Sequence, residues 1–399
     1  MITYAEALAA ITGLTLPALA TGQLPLGQAA GCILADDCCM QRDQPPFDRS
    51  TMDGYAVALS DSNCYTVIGT VHAGEQAARI PQQGEAVRIM TGAPVPRGTT
   101  VVPIEGTDGG TEQVTVTDTG MLQPGRNIAW QGEDARAGDR ILAAGTRLSP
   151  VTLAAAAMAG LTELNCYHAP RITILTSGDE VGKAGDAGIA DSNGPLLTAL
   201  LAELGITPAH QHIGDDHGAT RSALEAALEH SDIVISTGGV SMGSKDHLPA
   251  ASTELGGERI FHKVAIQPGK PVLLDRHGQA CFLGLPGNPV SVLATAHLFL
   301  LPLLGQLWPG FSVNWMELPA ANAGDQRKPR QLFLPARLTS RGLEPVAWTG
   351  SGDLLAAAHG HGLVNLGTQS SWAAGDALPF LPYIGGGFTS GLLPDRRRS

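Results

Sequence analysis

One local pattern constrains this chain more than any other. From residue 171 to about Leu304, a short β-branched apolar run, a glycine-bearing turn and a helix follow one another repeatedly. Ile172–Leu175 runs into Thr176, Ser177, Gly178, Asp179 and Glu180; Ile233–Ser236 runs into Thr237, Gly238, Gly239, Val240, Ser241, Met242 and Gly243. Cys281–Leu283 runs into Gly284, Leu285, Pro286, Gly287, Asn288 and Pro289, where a helix to about Leu304 is expected. Further helices are predicted over Leu196–Leu204, closed by Gly205, and around Ser222–Glu229. Alternation of this kind builds a three-layer α/β domain on a largely parallel sheet. In an open parallel sheet such turns gather at the carboxyl edge, where ligands bind in a crevice. Glycine lets the backbone approach a ligand closely, and N–H groups at helix starts attract phosphate oxygens. Any one of these turns can be purely structural. Three together, each followed by a polar residue or a helix, favour a phosphorylated ligand. None matches G-x-G-x-x-G or a P-loop, which disfavours an ordinary dinucleotide or NTPase site.

Carboxylates sit beside the turns: Asp179 and Glu180 after the first, Asp215 and Asp216 before a helix, Asp246 after the second. Asp215 or Asp216 has a plain alternative as a helix cap, and Asp246 follows Lys245, a simple ion pair. Next to a phosphate cradle, however, one or two carboxylates with phosphate oxygens and water suit Mg²⁺. Pro268-Gly269-Lys270-Pro271 fixes one cation in a stiff turn, where lysine meets an oxyanion as a point charge or is merely solvated.

The rest of the chain reads differently. Thr3 and Glu6 form a capping-box pattern opening a short helix to about Leu14. From Leu24 to about Gly145, short β-prone runs (Tyr65–Ile68, Ala86–Met90, Thr100–Ile104, Glu112–Thr117) alternate with Gly, Pro and Asp turns. The 50 glycines and 27 prolines suit that texture. A helix is expected over Ser149–Gly160, and β runs return after Trp308 at Leu332–Leu338, Leu343–Trp348, Gly362–Leu366 and Ala377–Leu381.

A net charge of −12 argues against nucleic-acid or anionic-membrane partners, and 5% aromatics against base stacking. The basic run Arg396–Arg398 reads as a solvated, flexible tail over 386–399. Six cysteines without CxxC or zinc spacing read as reduced thiols of a cytoplasmic protein. The first residues lack a cationic n-region, so no signal peptide is expected. The apolar stretches Val151–Leu161 and His297–Leu304 read as too short to span a bilayer.

Three further segments are too particular for generic turns: Asp48–Val57 (DRSTMDGYAV, containing Asp53), Arg88–Pro96 (RIMTGAPVP, containing Thr91) and Gly132–Asp134. With TSGDE at 176–180, DSNG at 191–194, STGGVSMG at 236–243, PGKP at 268–271 and GLPGNPVS at 284–291, they run in family order across about Ala29–Leu304. Together they resemble the MoeA-type molybdopterin molybdenumtransferases and the matching C-terminal domain of gephyrin.

That resemblance implies an elongated, multidomain α/β plus β homodimer. Its parts would be a central three-layer, MogA-like molybdopterin-binding domain (1–22 with 169–308), an inserted mainly-β domain (44–136), a small linking domain (23–43 with 137–168) and a C-terminal β-barrel-like domain (309–385). It implies the reaction of adenylylated molybdopterin with molybdate to give molybdenum cofactor and AMP, assisted by Mg²⁺. The functional residues carried over are Asp53, Thr91, Asp134, Glu180, Asp216, Asp246, Lys270 and Ser351. Asp53, Thr91 and Asp134 then lie on the partner's side of the cleft, and Asp216 and Asp246 hold the metal.

The cradle residues are Ser177, Gly178, Asp179, Gly238, Gly239, Ser241, Gly243, Pro268, Gly269, Pro271, Pro286, Gly287, Asn288 and Pro289. Transient contacts with an adenylyltransferase and apo-molybdoenzymes are further implications. The sequence departs from the family at Gln267, often lysine, and near Pro335, where some members have arginine; Arg330 and Arg337 stand close by. Two other readings stay open. One is a molybdopterin adenylyltransferase, which the long β insertion disfavours. The other is a non-catalytic cofactor-binding scaffold, which Gln267 and Pro335 favour.

Overall fold

The computed structural model describes residues 1–178, 188–214, 216–240 and 247–385. Asp179, Glu180, Asp215, Ser241, Gly243, Asp246 and the expected tail at 386–399 lie outside the described residues. The chain forms two units. One comprises Met1–Asp36, Ala144–Ser149 and the chain from Asn165 onward; the other comprises Asp37–Ala143 and Pro150–Leu164.

The first unit is built on a six-stranded sheet in the order Ala209–Ile213, Ile172–Ser177, Ile233–Thr237, Ala280–Leu285, Leu273–His277, Glu258–His262. The first four strands are parallel, as the alternating pattern predicts. The pair Leu273–His277 and Ala280–Leu285 is an antiparallel hairpin, and the edge strand Glu258–His262 also pairs antiparallel. Central strands read as continuous apolar runs because both faces are covered. Successive side chains alternate between the faces: Ile174, Ile235 and Leu283 enter one core, while Leu175, Val234 and Phe282 enter the other. The first core is closed by the helices Asn193–Ala202 and Tyr4–Thr12 and the long run Pro289–Leu307. The second is closed by His217–His230 and Leu248–Glu254.

The capping box at the first helix is formed. The Thr3 hydroxyl accepts from the Glu6 N–H at 3.1 Å, and the Glu6 carboxylate accepts from the Thr3 N–H at 2.8 Å. Tyr4 then packs edge-on against Phe299 and Phe333, 5.9 and 5.1 Å between ring centres. One expectation is corrected: the apolar segment near His297 is longer than the sequence suggested. Pro289–Leu307 is a single 19-residue helical run with a π-helical stretch at Ala296–Leu300, long and apolar enough by composition to cross a bilayer, but 78% of its most apolar window is buried inside the fold. Pro302 stands in the first turn of the segment Leu301–Leu307, where a proline is tolerated.

The same unit carries the C-terminal β sheet, Ile266–Gln267, Gln331–Thr339, Gly362–Asn365, Ala377–Pro382 and Met316–Pro319, with Gly342–Pro345 paired to Gln331–Thr339. Ile266–Gln267, just before the PGKP turn, is its parallel edge strand against Gln331–Leu332. Phe333, Leu363 and Leu381 join the α/β core.

In the second unit a five-stranded sheet runs Thr100–Pro103, Gly54–Val57, Glu85–Ile89, Cys64–Val71, Gln113–Thr115. Tyr55 and Val57 face one core and Ala56 the other, so every residue of Gly54–Val57 is buried. A side chain at Gly54 would collide with the Val102 carbonyl, which is why glycine follows Asp53. Helix Pro150–Met158 matches the predicted alanine-rich segment. None of the six cysteines forms a disulfide.

Candidate functional site: a glycine cradle and an oxyanion cavity

Three neighbouring parallel strands end side by side. Thr176 is opposite Thr237 and Thr237 opposite Leu285, so the turns that follow are adjacent by register. The tips are tied together: Gly238 N–H donates to the Leu285 carbonyl at 3.1 Å, and the Ser177 hydroxyl donates to the Thr237 carbonyl at 3.2 Å. Gly238 and Gly239 have φ of +83° and +66°, left-handed values that favour glycine. A Cβ on Gly238 would stand 3.1 Å from the Ser177 hydroxyl, and one on Gly287 would stand 3.6 Å from the Gly238 Cα. Ser177, Gly178, Gly238, Gly239, Pro286 and Gly287 are therefore brought to one place, as the turn spacing predicts.

Beside the third tip lies a cavity of about 530 Å³. Its walls include Pro268, Gly269, Lys270 and Pro271 from the stiff turn, Pro286–Asn288 from the strand tip, and Ser351 with Gly350 from the C-terminal sheet's loop. Gln267, Ser291, Arg330 and Trp348 complete it. Pro289, the remaining cradle residue among the described residues, opens the helix behind Asn288.

Ser351 is held in place twice. Its hydroxyl accepts from the Asn288 amide nitrogen at 2.8 Å, and its carbonyl accepts from Val290 N–H at 3.0 Å. Gly269 has φ +100°, and a Cβ there would strike the Thr295 methyl, so the lysine turn seats against the long helix only with glycine. Lys270 is exposed at the mouth. Arg330 is anchored by donating to the Ile266 carbonyl at 3.2 Å. Two cations and a helix N-terminus on one concave surface of a chain with net charge −12 suit a small, multiply charged oxyanion.

Sequence reasoning left the C-terminal cation open between Arg330 and Arg337. Arg330 lines the cavity, whereas Arg337 is bound to Glu344 at 2.9 and 3.1 Å. Pro335 sits within strand Gln331–Thr339, opposite Leu363. Gln267 is in the cavity wall. Two residues were missed. Trp348 carries no motif that would have marked it. Asn193, from the DSNG motif, donates to the Gly287 carbonyl at 2.8 Å and so fixes the third tip.

Asp216 forms the helix cap that one of its two readings predicts. It is the N-cap of His217–His230, one carboxylate oxygen accepting from Ala219 N–H at 2.7 Å. Among the described residues no group of three or more His, Cys, Asp or Glu is arranged to hold a metal. The other carboxylate oxygen leaves a hard donor of the kind that Mg²⁺ uses alongside phosphate oxygens.

In the second unit Gly54 pairs with Ile89 across two strands, which places Asp53 and Thr91 at adjoining strand ends. One Asp53 oxygen accepts from the Thr91 N–H at 2.7 Å and from its hydroxyl at 2.8 Å. Those two donors, the backbone one first, hold the Asp53 carboxyl below its usual range. Asp134 is exposed, and among the described residues no hydrogen bond joins its side chain to that pair.

A glycine cradle at parallel strand ends beside a cationic cavity marks an α/β protein whose strand-end geometry suits a phosphorylated ligand and an oxyanion. Residues 2–160 match the MoeA N-terminal region (domain I and II), and residues 173–306 match a domain described as a probable molybdopterin binding domain. The chain is 38% identical to a molybdopterin molybdenumtransferase of Haemophilus influenzae over 72% of this chain and 73% of that protein. It is 34% identical to one of Synechococcus elongatus over 81% and 84%. A crystal structure of the molybdopterin biosynthesis MoeA protein from Pyrococcus horikoshii OT3 superposes with a TM-score of 0.82 at 25% identity, covering 96% of this chain and 100% of that one. The chain belongs to the MoeA family of molybdopterin molybdenumtransferases.

Proposed function

We propose that the chain transfers molybdate onto adenylylated molybdopterin, releasing AMP and forming molybdenum cofactor. The observation that carries this reading is the cavity that places Lys270, Arg330 and Ser351 beside the glycine tips. The backbone of Ser177–Gly178, Gly238–Gly239 and Gly287 seats the pterin nucleotide, whose phosphates accept from N–H groups at the strand ends. Lys270 and Arg330 hold molybdate as paired cations, and Ser351, oriented by Asn288, hydrogen-bonds it. An oxygen of water or molybdate attacks the phosphoanhydride and AMP leaves, while the two dithiolene sulfurs displace molybdate oxygens, which are released as water. Mg²⁺, held by Asp246 with Asp216 or Glu180, would supply charge neutralisation at the departing phosphate.

Asp53, Thr91 and Asp134 close the cleft from the partner subunit of a homodimer. Thr91 orients the Asp53 carboxylate there through its N–H and hydroxyl. The working division into linking, inserted β, α/β and C-terminal β domains follows the boundaries given above. The protein acts in the cytoplasm, between an adenylyltransferase that supplies its substrate and apo-molybdoenzymes that receive its product. Gln267 in the wall favours a second reading, a protein that binds pterin without inserting metal.

The test is conversion of purified adenylylated molybdopterin with molybdate, reading AMP and bound molybdenum. Molybdate-dependent AMP release is expected, and Asp246→Asn is expected to leave a folded protein that releases none. Undiminished release by that variant would remove Asp246 from the mechanism; pterin binding with no turnover in the wild type would leave the binding-only reading.

A further inference from the structure

A second cavity, of about 490 Å³, lies in the C-terminal β region and takes no part in the steps above. Its floor is Leu332, Leu334, Leu366 and Pro345; Trp348 and Trp372 line it, and Arg327 and Lys328 bring two adjacent cations. Two of the chain's five tryptophans thus serve one concavity in a protein that is 5% aromatic. Asp325, also in the lining, pairs with Arg327 at 3.2 Å, while Lys328 is exposed.

Gln326 supplies the most specific feature. It is 7% exposed, and its amide nitrogen donates to the Gly367 and Thr368 carbonyls at 2.8 and 2.9 Å. The amide oxygen is left buried and without a partner. Buried acceptors are normally satisfied, and one orphaned in the lining of a cavity asks for an N–H donor. Volume, indole walls, cations and orphan acceptor agree on one ligand class. A planar amino-heterocycle stacks on indole, its ring N–H or exocyclic amine meets the Gln326 oxygen, and its phosphate faces Lys328 and Arg327.

We propose that this cavity is a second ligand site, for the phosphate of an amino-heterocycle. Two sources share that chemistry: AMP and a pterin phosphate. Naming AMP as the product rests on the proposed function, but binding at this site requires no turnover. Trp348 lines both cavities, so a ligand here touches a wall of the oxyanion cavity. Occupancy would therefore be felt where molybdate binds.

Calorimetric titration of the full-length protein tests this with AMP, purine riboside 5′-phosphate, inorganic phosphate and 6-hydroxymethylpterin phosphate. AMP or the pterin phosphate is expected to bind at a class of sites that the Arg327→Glu/Lys328→Glu variant weakens at least tenfold and Lys270→Met leaves unchanged. Both replaced cations are exposed, so the variant is expected to melt with the wild type. If AMP is the ligand, purine riboside 5′-phosphate, which lacks the amine, should bind several-fold more weakly. Tighter binding of one heterocycle names the source, and either supports the site. Wild-type affinity for both heterocycles in the charge-reversed variant, or inorganic phosphate competing as well as they do, would overturn it. Loss of metal insertion with this binding intact would count against the proposed function alone.

Discussion

Asp216 has two roles to separate, and its geometry allows it. The carboxylate caps a 14-residue helix by accepting from Ala219 N–H, and it is also a proposed ligand of Mg²⁺. Asp216→Ala removes the acceptor and the charge; Asp216→Asn keeps an acceptor and removes only the charge. Losing an N-cap typically costs about 1 kcal/mol, and Asn caps as well as Asp. The negative charge at the helix N-terminus adds roughly 0.3–1 kcal/mol at an exposed position. The alanine variant should therefore be destabilised by about 1–2 kcal/mol and the asparagine variant by less than about 1 kcal/mol. For a domain of some 150–250 residues each kcal/mol is about 2–4 °C of melting temperature. Differential scanning fluorimetry with AMP release measured in parallel separates the two roles. Both variants should lose AMP release if the charge holds the metal, although only the alanine variant melts clearly lower. An asparagine variant that melts as low as the alanine one, or an alanine variant that melts like the wild type, would refute the capping argument. Full AMP release by Asp216→Asn would refute the metal role.

Two further outcomes follow from the same geometry. Replacing Lys270 or Arg330 by methionine removes a charge-assisted contact worth about 1.5–3 kcal/mol, so molybdate affinity by equilibrium dialysis should fall roughly 10- to 100-fold with pterin binding unchanged. His297 is fully buried; its Nδ1 donates to the Leu293 carbonyl at 2.8 Å and its Nε2 accepts from Ile384 N–H at 3.1 Å. Burial pushes its pKa down to about 4. The unfolded imidazole takes up a proton near pH 6.5 but the folded one only near 4, so the unfolded state binds more protons between those values and stability falls as pH drops through that window. By pH 5 the loss is on the order of 2 kcal/mol by proton linkage. Urea unfolding of wild type and His297→Gln at pH 7.5 and 5 reads it; an equal pH slope in both proteins would contradict it.

What was legible in the sequence is what one strand or turn decides locally. Ile172–Ser177, Ile233–Thr237 and Ala280–Leu285 are largely buried and rich in apolar residues because helices cover both faces, and glycine marks each exit. The Thr3–Glu6 box and the Asp216 cap are likewise contacts between residues three apart. What was not legible depends on distant segments meeting. Nothing local to Arg330 says that its strand pairs with Ile266–Gln267 and so delivers it beside Lys270. Trp348 and the unpaired Gln326 oxygen acquire meaning only once the C-terminal strands close around a cavity. The long helix was expected to about Leu304 and runs to Leu307, with a π-helical stretch at Ala296–Leu300 that no local sequence signal marked.

The most direct measurement is anomalous diffraction at the molybdenum edge from crystals soaked in molybdate. A molybdenum peak within hydrogen-bonding reach of Lys270, Ser351 and Arg330 is expected, and it should vanish in Lys270→Met. A peak bound elsewhere, with that cavity holding only solvent, would contradict the assignment of the oxyanion site.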